Sequence, residues 1–308
     1  NTQAVALGQN PKMAMQLYGA RFGVIVFRKG VCELKLKKYA EAIKSFESCY
    51  KDYPNGGKDA TSGGGNIFNK MALLKWGEAA MGAEQYELAI TQWQKFLQER
   101  DKARDKYPRG AFHINMAICH YRVAKLPEGN EYLEIAINNK DVFPTPDETI
   151  LSGFQAMVTA AIGKKDEQIM LDFIGKNRGA LIIAPYAMQR FSKIFMKLAG
   201  DAIGAKMTKT ALQLYQFVPS TQSAIDDLRS RINDMGNLSK IREGSTTLDK
   251  VKMEAELAAL ESEQRGNKAV EMIKLAAIAY IHETEKNIHG AFGAYLQLEK
   301  YFPKAEKR

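Results

Sequence analysis

The stretch KLKKYAEAIKSFESCYKDYP, residues 35–54, decides how this chain is read. Its apolar and small residues Tyr39, Ala42, Ile43, Phe46, Cys49 and Tyr50 recur three and four apart, so they share one face of an α-helix. Lys38, Glu41, Lys44, Glu47 and Lys51 fall largely on the other face. A solitary surface helix and one unit of a repeated structure look alike over so short a window. Only copies elsewhere in the chain separate the two.

Copies exist. Extended back to Gly30, the stretch gives a template of Gly30, Tyr39, Ala42, Phe46 and Cys49, with intervals of nine, three, four and three. The same intervals join Gly77, Tyr86, Ala89, Trp93 and Phe96, and then Ala117, Leu126, Gly129, Leu133 and Ala136. A further copy near the end runs Ala279, Ile288, Ala291, Tyr295 and Leu298; it stops at Pro303 as the first stops at Pro54. A small residue followed nine later by a large one describes one helix, a tight turn and the start of the next helix. Gly30, Ala42, Gly77, Ala89 and Gly129 are expected where antiparallel helices approach closely. Phe46, Trp93, Leu133 and Tyr295 are expected to fill the space between one helix pair and its neighbour.

These residue types at this spacing resemble the tetratricopeptide repeat family. The resemblance implies an all-α fold, an α-solenoid of antiparallel helix pairs stacked into a right-handed superhelix with a concave face. It divides the chain into repeats over 1–144, degenerate helical repeats over 145–240, and C-terminal helices over 241–308 that end in a terminal unit. From about 145 to 265 the template fits poorly, although ILSGFQAMVTAAIG, APYAMQRFSKIFMKLAG and AKMTKTALQLYQF keep a helical period. The last two read as a pair turning around Ala199-Gly200-Asp201, and a separate helical domain is the alternative to degenerate repeats. Tyr39 to Tyr86 is 47 residues and Tyr86 to Leu126 is 40. The excess is assigned to the loop NGGKDATSGGGN at 55–66 and to a second helix running about two turns beyond a standard unit through QKFLQERDKARDKYP. Long second helices ending in Tyr-Pro, as at Tyr53-Pro54 and Tyr107-Pro108, resemble those of bacterial cell-envelope assembly and scaffold proteins. That likeness implies a periplasmic or envelope location, with the cytoplasm as the alternative.

The chain has 308 residues and a formal charge of +9, but acids are interleaved with bases along most of the helical stretches. No dense Lys/Arg stripe with stacking aromatics is present, which argues against nucleic acid as the reason for the excess. No apolar run reaches membrane-spanning length. The nearest, MAMQLYGARFGVIVF at 13–27, is too short and carries Arg21. The chain begins with Asn rather than Met, which we read as a mature or excised piece from which any targeting or anchoring segment has been removed.

Residues with reactive chemistry read as structural. His113 with His120, and His282 with His289, are each seven apart, about 10 Å along a helix and too far to share a metal unaided. In repeat register the first three occupy packing positions, and His289 is expected to be exposed. Cys32, Cys49 and Cys119 fall at positions for small buried side chains, and Cys32 with Cys49 lies beyond disulfide reach, so free thiols are expected. In the Gly-rich loop, Gly57-Lys58 is followed by Asp59 rather than Ser or Thr, so it is read as a connector and not a phosphate cradle. Asp226-Asp227, Glu261 with Glu263, and Glu283 with Glu285 read as solvated helix faces. No catalytic, metal or cofactor set is expected, and the chain is read as non-enzymatic.

The resemblance implies instead a protein or peptide partner docked on the first, inner helix of each pair. Candidates on that face are Arg28 and Lys35, Lys75, and Asn115 with Arg122. Two alternatives remain open. One is nucleic-acid binding through the basic stretches ERDKARDKYPR at 99–109 and KAEKR at 304–308; the other is that these repeats are part of a larger membrane assembly or enzyme.

Overall fold

The computed structural model describes residues 11–53, 67–100, 107–138, 146–181, 188–189, 191–239, 246–262 and 264–302. The loop at 55–66, most of the basic stretch at 101–106, Glu263 and the tail from 303 lie outside the described residues. All regular structure among the described residues is helical. The chain divides into two compact units, residues 1–160 and 161–308.

The first unit holds α1 (Pro11–Lys35), α2 (Tyr39–Asp52), α3 (Ile67–Gly82), α4 (Tyr86–Glu99), α5 (Arg109–Arg122), α6 (Leu126–Asn138) and most of α7 (Pro146–Lys164). α1 with α2, α3 with α4, and α5 with α6 form helix pairs, and each pair packs on the next. Each pair turns at one residue of positive φ, Lys37, Glu84 and Ala124 at 59°, 60° and 59°. Two backbone bonds close each turn, as when Lys37 N–H donates to the Leu34 carbonyl and Lys38 N–H to that of Glu33. This is the Schellman end of a helix, repeated.

The template glycines do what their spacing requires. A Cβ on Gly30 would stand 2.8 Å from the Phe46 ring, and one on Gly77 only 2.2 Å from the Trp93 indole. Ala42, Ala89 and Leu133 are fully buried, as are Phe46 and, within 1 %, Trp93. The close approach at Gly129 is to the Tyr121 ring. Tyr39 reaches forward to the next pair, where its ring lies over Gly82. α3 is sandwiched between α2 and α4, so Ala72, Leu73, Leu74, Trp76, Ala79 and Ala80 are buried almost all round the helix.

The second unit holds α8 (Glu167–Leu181), α9 (Ser192–Gly204), α10 (Thr208–Gln216), α11 (Thr221–Ser239), α12 (Thr246–Ser262), α13 (Gln264–Thr284) and α14 (Ile288–Glu299). Lys165, Lys206 and Lys286 repeat the same turn at φ 56°, 63° and 57°. α9 pairs with α10, α11 with α12 and α13 with α14, while α10 also packs on α8 and α13. Polar ties join them. The Thr210 N–H donates to Glu167, the Thr221 N–H and the Tyr301 hydroxyl donate to Glu271, and Lys274 Nζ donates to the Val218 carbonyl at 2.6 Å.

Four expectations are corrected. The α9–α10 turn is at Ala205–Met207, and Ala199-Gly200-Asp201 lies within α9. α4 ends at Glu99 with Arg100 already extended (ψ 142°), so it does not continue for two further turns. Tyr295 does not fill a gap between pairs; it is 44 % exposed, because no described pair stacks on α14. Cys32 is exposed where its register mate Cys119 is buried. Cys119 belongs to the core between the second and third pairs, and no described pair precedes α1 to cover Cys32.

Gly200 sits in the exposed interior of α9, where an added Cβ would meet nothing within 4 Å. Gly200→Ala is therefore expected to stabilise the second unit by about 0.5–1 kcal/mol through helix entropy alone. A urea midpoint that fell instead would show an unseen neighbour at that position.

Candidate functional site

Within the first unit, α5, the first helix of the third pair, and α7 flank an open groove of about 370 Å³. Gly153 seats α7 there, since a Cβ at that position would be 2.8 Å from Leu133 and 3.2 Å from Ile114. α5 contributes Ile118, Tyr121 and Arg122 to the groove; α7 contributes Ser152, Gln155, Ala156, Thr159 and Ala160.

The chemistry of this lining is simple. Arg122 is exposed and makes no ion pair among the described residues, and the lining contains no acid. Ser152 and Thr159 donate their hydroxyls to the Thr149 and Gln155 carbonyls of their own helix, at 2.7 and 2.9 Å. Their oxygens keep acceptor capacity toward the groove. Tyr121 is buried and donates to Asn130 at 2.9 Å, and burial holds its phenol far above the ordinary value. It therefore serves as a neutral, fixed wall. The groove offers one cation, an apolar floor and hydroxyl and amide edges, with no nucleophile–base pair.

Of the five residues expected on the inner face, the structure brings only Arg122 into this groove. Asn115, half-buried, lies seven residues back on the same stripe of α5, about 10 Å away. Lys75 is held by Glu78 at 2.8 Å on α3. Arg28 and Lys35 are exposed on α1. The spacing rule missed Ser152, Gln155 and Thr159, because Val158 stands where the template has a small residue. With the turn known at Lys165, seven residues back and two residues on place Val158 and Glu167 in register, as Gly30 and Tyr39 stand about Lys37, and the inner face of α7 follows.

The other singled-out residues are structural. His113 and His120 are buried on α5, and the Tyr132 ring of α6 stacks on both, with centroids at 6.1 and 5.3 Å. His282 is half-buried beside Gly290, and His289 is exposed. All three cysteines are free; burial pushes the thiol of Cys49 up to about 11 and that of Cys119 to about 12. Asp227 holds Arg231, Glu261 holds Arg229 and Glu283 accepts from Tyr295, while Glu263 lies outside the described residues. Among the described residues no group of three His, Cys, Asp or Glu side chains could hold a metal ion, and no helix is long and apolar enough to cross a membrane.

Antiparallel helix pairs joined by one recurring turn and packed through small-on-aromatic contacts define an all-α helical-repeat protein. Residues 26–56, which span the end of α1, its turn and α2, match the family model of the tetratricopeptide repeat. No curated protein matches the chain. Similar solved structures include the C-terminal part of a tetratricopeptide repeat-containing protein from Cytophaga hutchinsonii, at 13 % identity and TM-score 0.41, over 91 % of this chain and 97 % of that one. PilW, a type IV pilus biogenesis factor, is similar at 15 % identity and TM-score 0.39, over 92 % and 96 %. The Rap conjugation gene regulator of plasmid pLS20, solved with the Phr* peptide, is similar at 16 % identity and TM-score 0.36, over 88 % and 73 %.

Proposed function

We propose that this chain is a non-enzymatic scaffold that docks a segment of a partner protein on the first helices of its repeats, with the α5–α7 groove as a principal seat. The observation that carries this reading is an unpaired Arg122 over an acid-free, half-apolar groove between α5 and α7. Such a surface suits an extended peptide that places an acidic side chain at Arg122 and small apolar side chains over Ile118 and Ala156. Arg28, Lys35, Lys75 and Asn115 lie on the first helices of the same unit and form the wider face on which the rest of a partner would lie. Tyr107 packs on Phe96 and Phe112 at 5.6 and 5.0 Å, and Pro108 caps the start of α5, so that dipeptide serves packing.

Selection from a displayed random-peptide library against the full chain tests the reading. Enrichment of peptides that carry an acidic residue among apolar ones is expected, and Arg122→Glu is expected to weaken them about tenfold or more. Absence of enrichment, or enriched peptides indifferent to Arg122→Glu, would remove the groove as the seat.

A further inference from the structure

His120 is buried in the same helical turn that carries two lining residues of the groove, Tyr121 and Arg122. That turn is the last of α5, and three contacts tie it to the α6 side. The His120 ring lies on Tyr132 with centroids at 5.3 Å, and the Tyr121 hydroxyl donates to Asn130 at 2.9 Å. The His120 carbonyl accepts the Lys125 N–H at 2.9 Å, which closes the turn into α6. What moves the His120 ring therefore moves the end of α5 on which the groove depends.

An imidazole so placed favours its neutral form. It is 3 % exposed, and neither ring nitrogen has a hydrogen-bond partner among the described residues, so a charged ring would stand unsolvated and unbonded. From α6, Glu128 and Glu131 favour the charge and Lys125 opposes it. Further along the stack, His113 bonds the Arg109 carbonyl and feels the charges of Arg109 and Arg100. From α4, Gln94 bonds the Tyr132 hydroxyl, while Lys95 and Glu99 are turned to Tyr50. The α7 side of the groove has no titratable group in its lining. Glu128 and Glu131 are exposed, so a protonated ring reaches them and water only by leaving Tyr132.

We propose that His120 is a proton-operated release for the groove: a proton taken from water draws its ring out of the stack, frees the last turn of α5 and carries Arg122 away from α7. This rests on the α5–α7 groove being the seat of a partner segment. Capture is strong where His120 is neutral and weak where it is charged. By linkage, a seated peptide holds His120 neutral to lower pH.

A histidine-free peptide selected from the displayed library on the full chain, and titrated by fluorescence anisotropy from about pH 8 to 5.5, tests this; its acidic side chain stays ionised over that range. Affinity is expected to fall about tenfold or more as the pH drops, with helical circular dichroism unchanged. His120→Phe should match the wild type at the alkaline end and flatten the profile, whereas His113→Phe, two turns away, should keep it. Methyl NMR of the free chain gives a readout without a peptide. The Ala156 and Thr159 signals, across the groove on α7, should titrate with the His120 ring in the wild type and stay still in His120→Phe. Binding that needs Arg122 but ignores pH, a profile unaltered by His120→Phe, or methyl signals that ignore the His120 titration would overturn the release and leave the groove standing. A library that yields no Arg122-dependent peptide removes the seat itself, and the release with it.

Discussion

Trp93→Ala lowers the unfolding free energy of the first unit by about 3–5 kcal/mol, the cost of emptying a fully packed indole site. Trp93 is 1 % exposed, its Nε1 donates to the Leu74 carbonyl at 2.9 Å, and its ring meets Phe112 edge-on at 5.6 Å. Gly77→Ala attacks the same contact from the other side. Its new Cβ would stand 2.2–2.5 Å from three ring atoms, so the indole must move and strain its bond to Leu74. Overpacking of this kind costs about 1–3 kcal/mol. The two changes are expected to be non-additive, because the alanine methyl enters the space the indole vacates. Gly77→Ala with Trp93→Ala should be less destabilised than the sum by about 1 kcal/mol or more. Fluorescence of Trp76, buried in α3 beside Gly77, reports unfolding of this unit in the Trp93 variants. Additive losses would show that the small-on-aromatic contact is not what selects glycine at this position.

The same contact explains what could be read from the sequence alone. The template works where a small residue and a bulky one are in register, because each is needed for the other to fit, and that leaves a fixed interval in the sequence. In the α9–α10 pair the intervals persist as Ala199, Thr208, Ala211, Tyr215 and Val218, and only Thr208 departs from type. The Ala199-Gly200 doublet instead invited a turn, but glycine in a helix interior leaves the same local signature as glycine in a turn. At Lys165 the counterparts are Val158, Glu167, Met170, Ile174 and Asn177. Val158, Met170 and Ile174 are buried, so the packing roles are kept by side chains of the wrong size for the rule. Here the invariant is backbone geometry, a Schellman turn whose positive-φ residue is Lys in four turns and Glu or Ala in the others, and residue identity does not mark it. The groove shares that fate. Arg122 was legible because α5 carries the template, whereas its opposite wall on α7 was not. The exposure of Tyr295 and Cys32 was hidden for a different reason. Register shows which side chains stack but not whether a neighbour stands beyond the last pair.

Acidification should weaken the first unit through the His113–Tyr132–His120 stack. Burial lowers the pKa of both imidazoles, and neither ring nitrogen of His120 has a hydrogen-bond partner among the described residues. His113 keeps one bond, from Nδ1 to the Arg109 carbonyl at 2.6 Å, which favours its charged form, while Arg109 and Arg100 oppose it. Around His120, Glu128 and Glu131 favour the charge and Lys125 opposes it, and burial outweighs them. Folded values below the unfolded one mean that the unfolded chain takes up protons first. The stabilisation from the neutral rings is complete above the unfolded value, near pH 6.5, and is lost as pH falls toward the folded values. Each unit of lowering contributes about 1.4 kcal/mol. Cation–π attraction to Tyr132 would offset about 0.5–1 kcal/mol of this, less than a buried unpaired imidazolium costs. Urea midpoints should therefore fall between about pH 7.5 and 5.5, a window above most carboxylate titration. His113→Phe with His120→Phe keeps an aromatic stack without the protons and should flatten that slope. An equal slope in the double variant would mean that other groups carry the acid sensitivity. The physical point is that these two histidines, seven residues apart like a ligand pair, are held neutral by the packing that makes them structural.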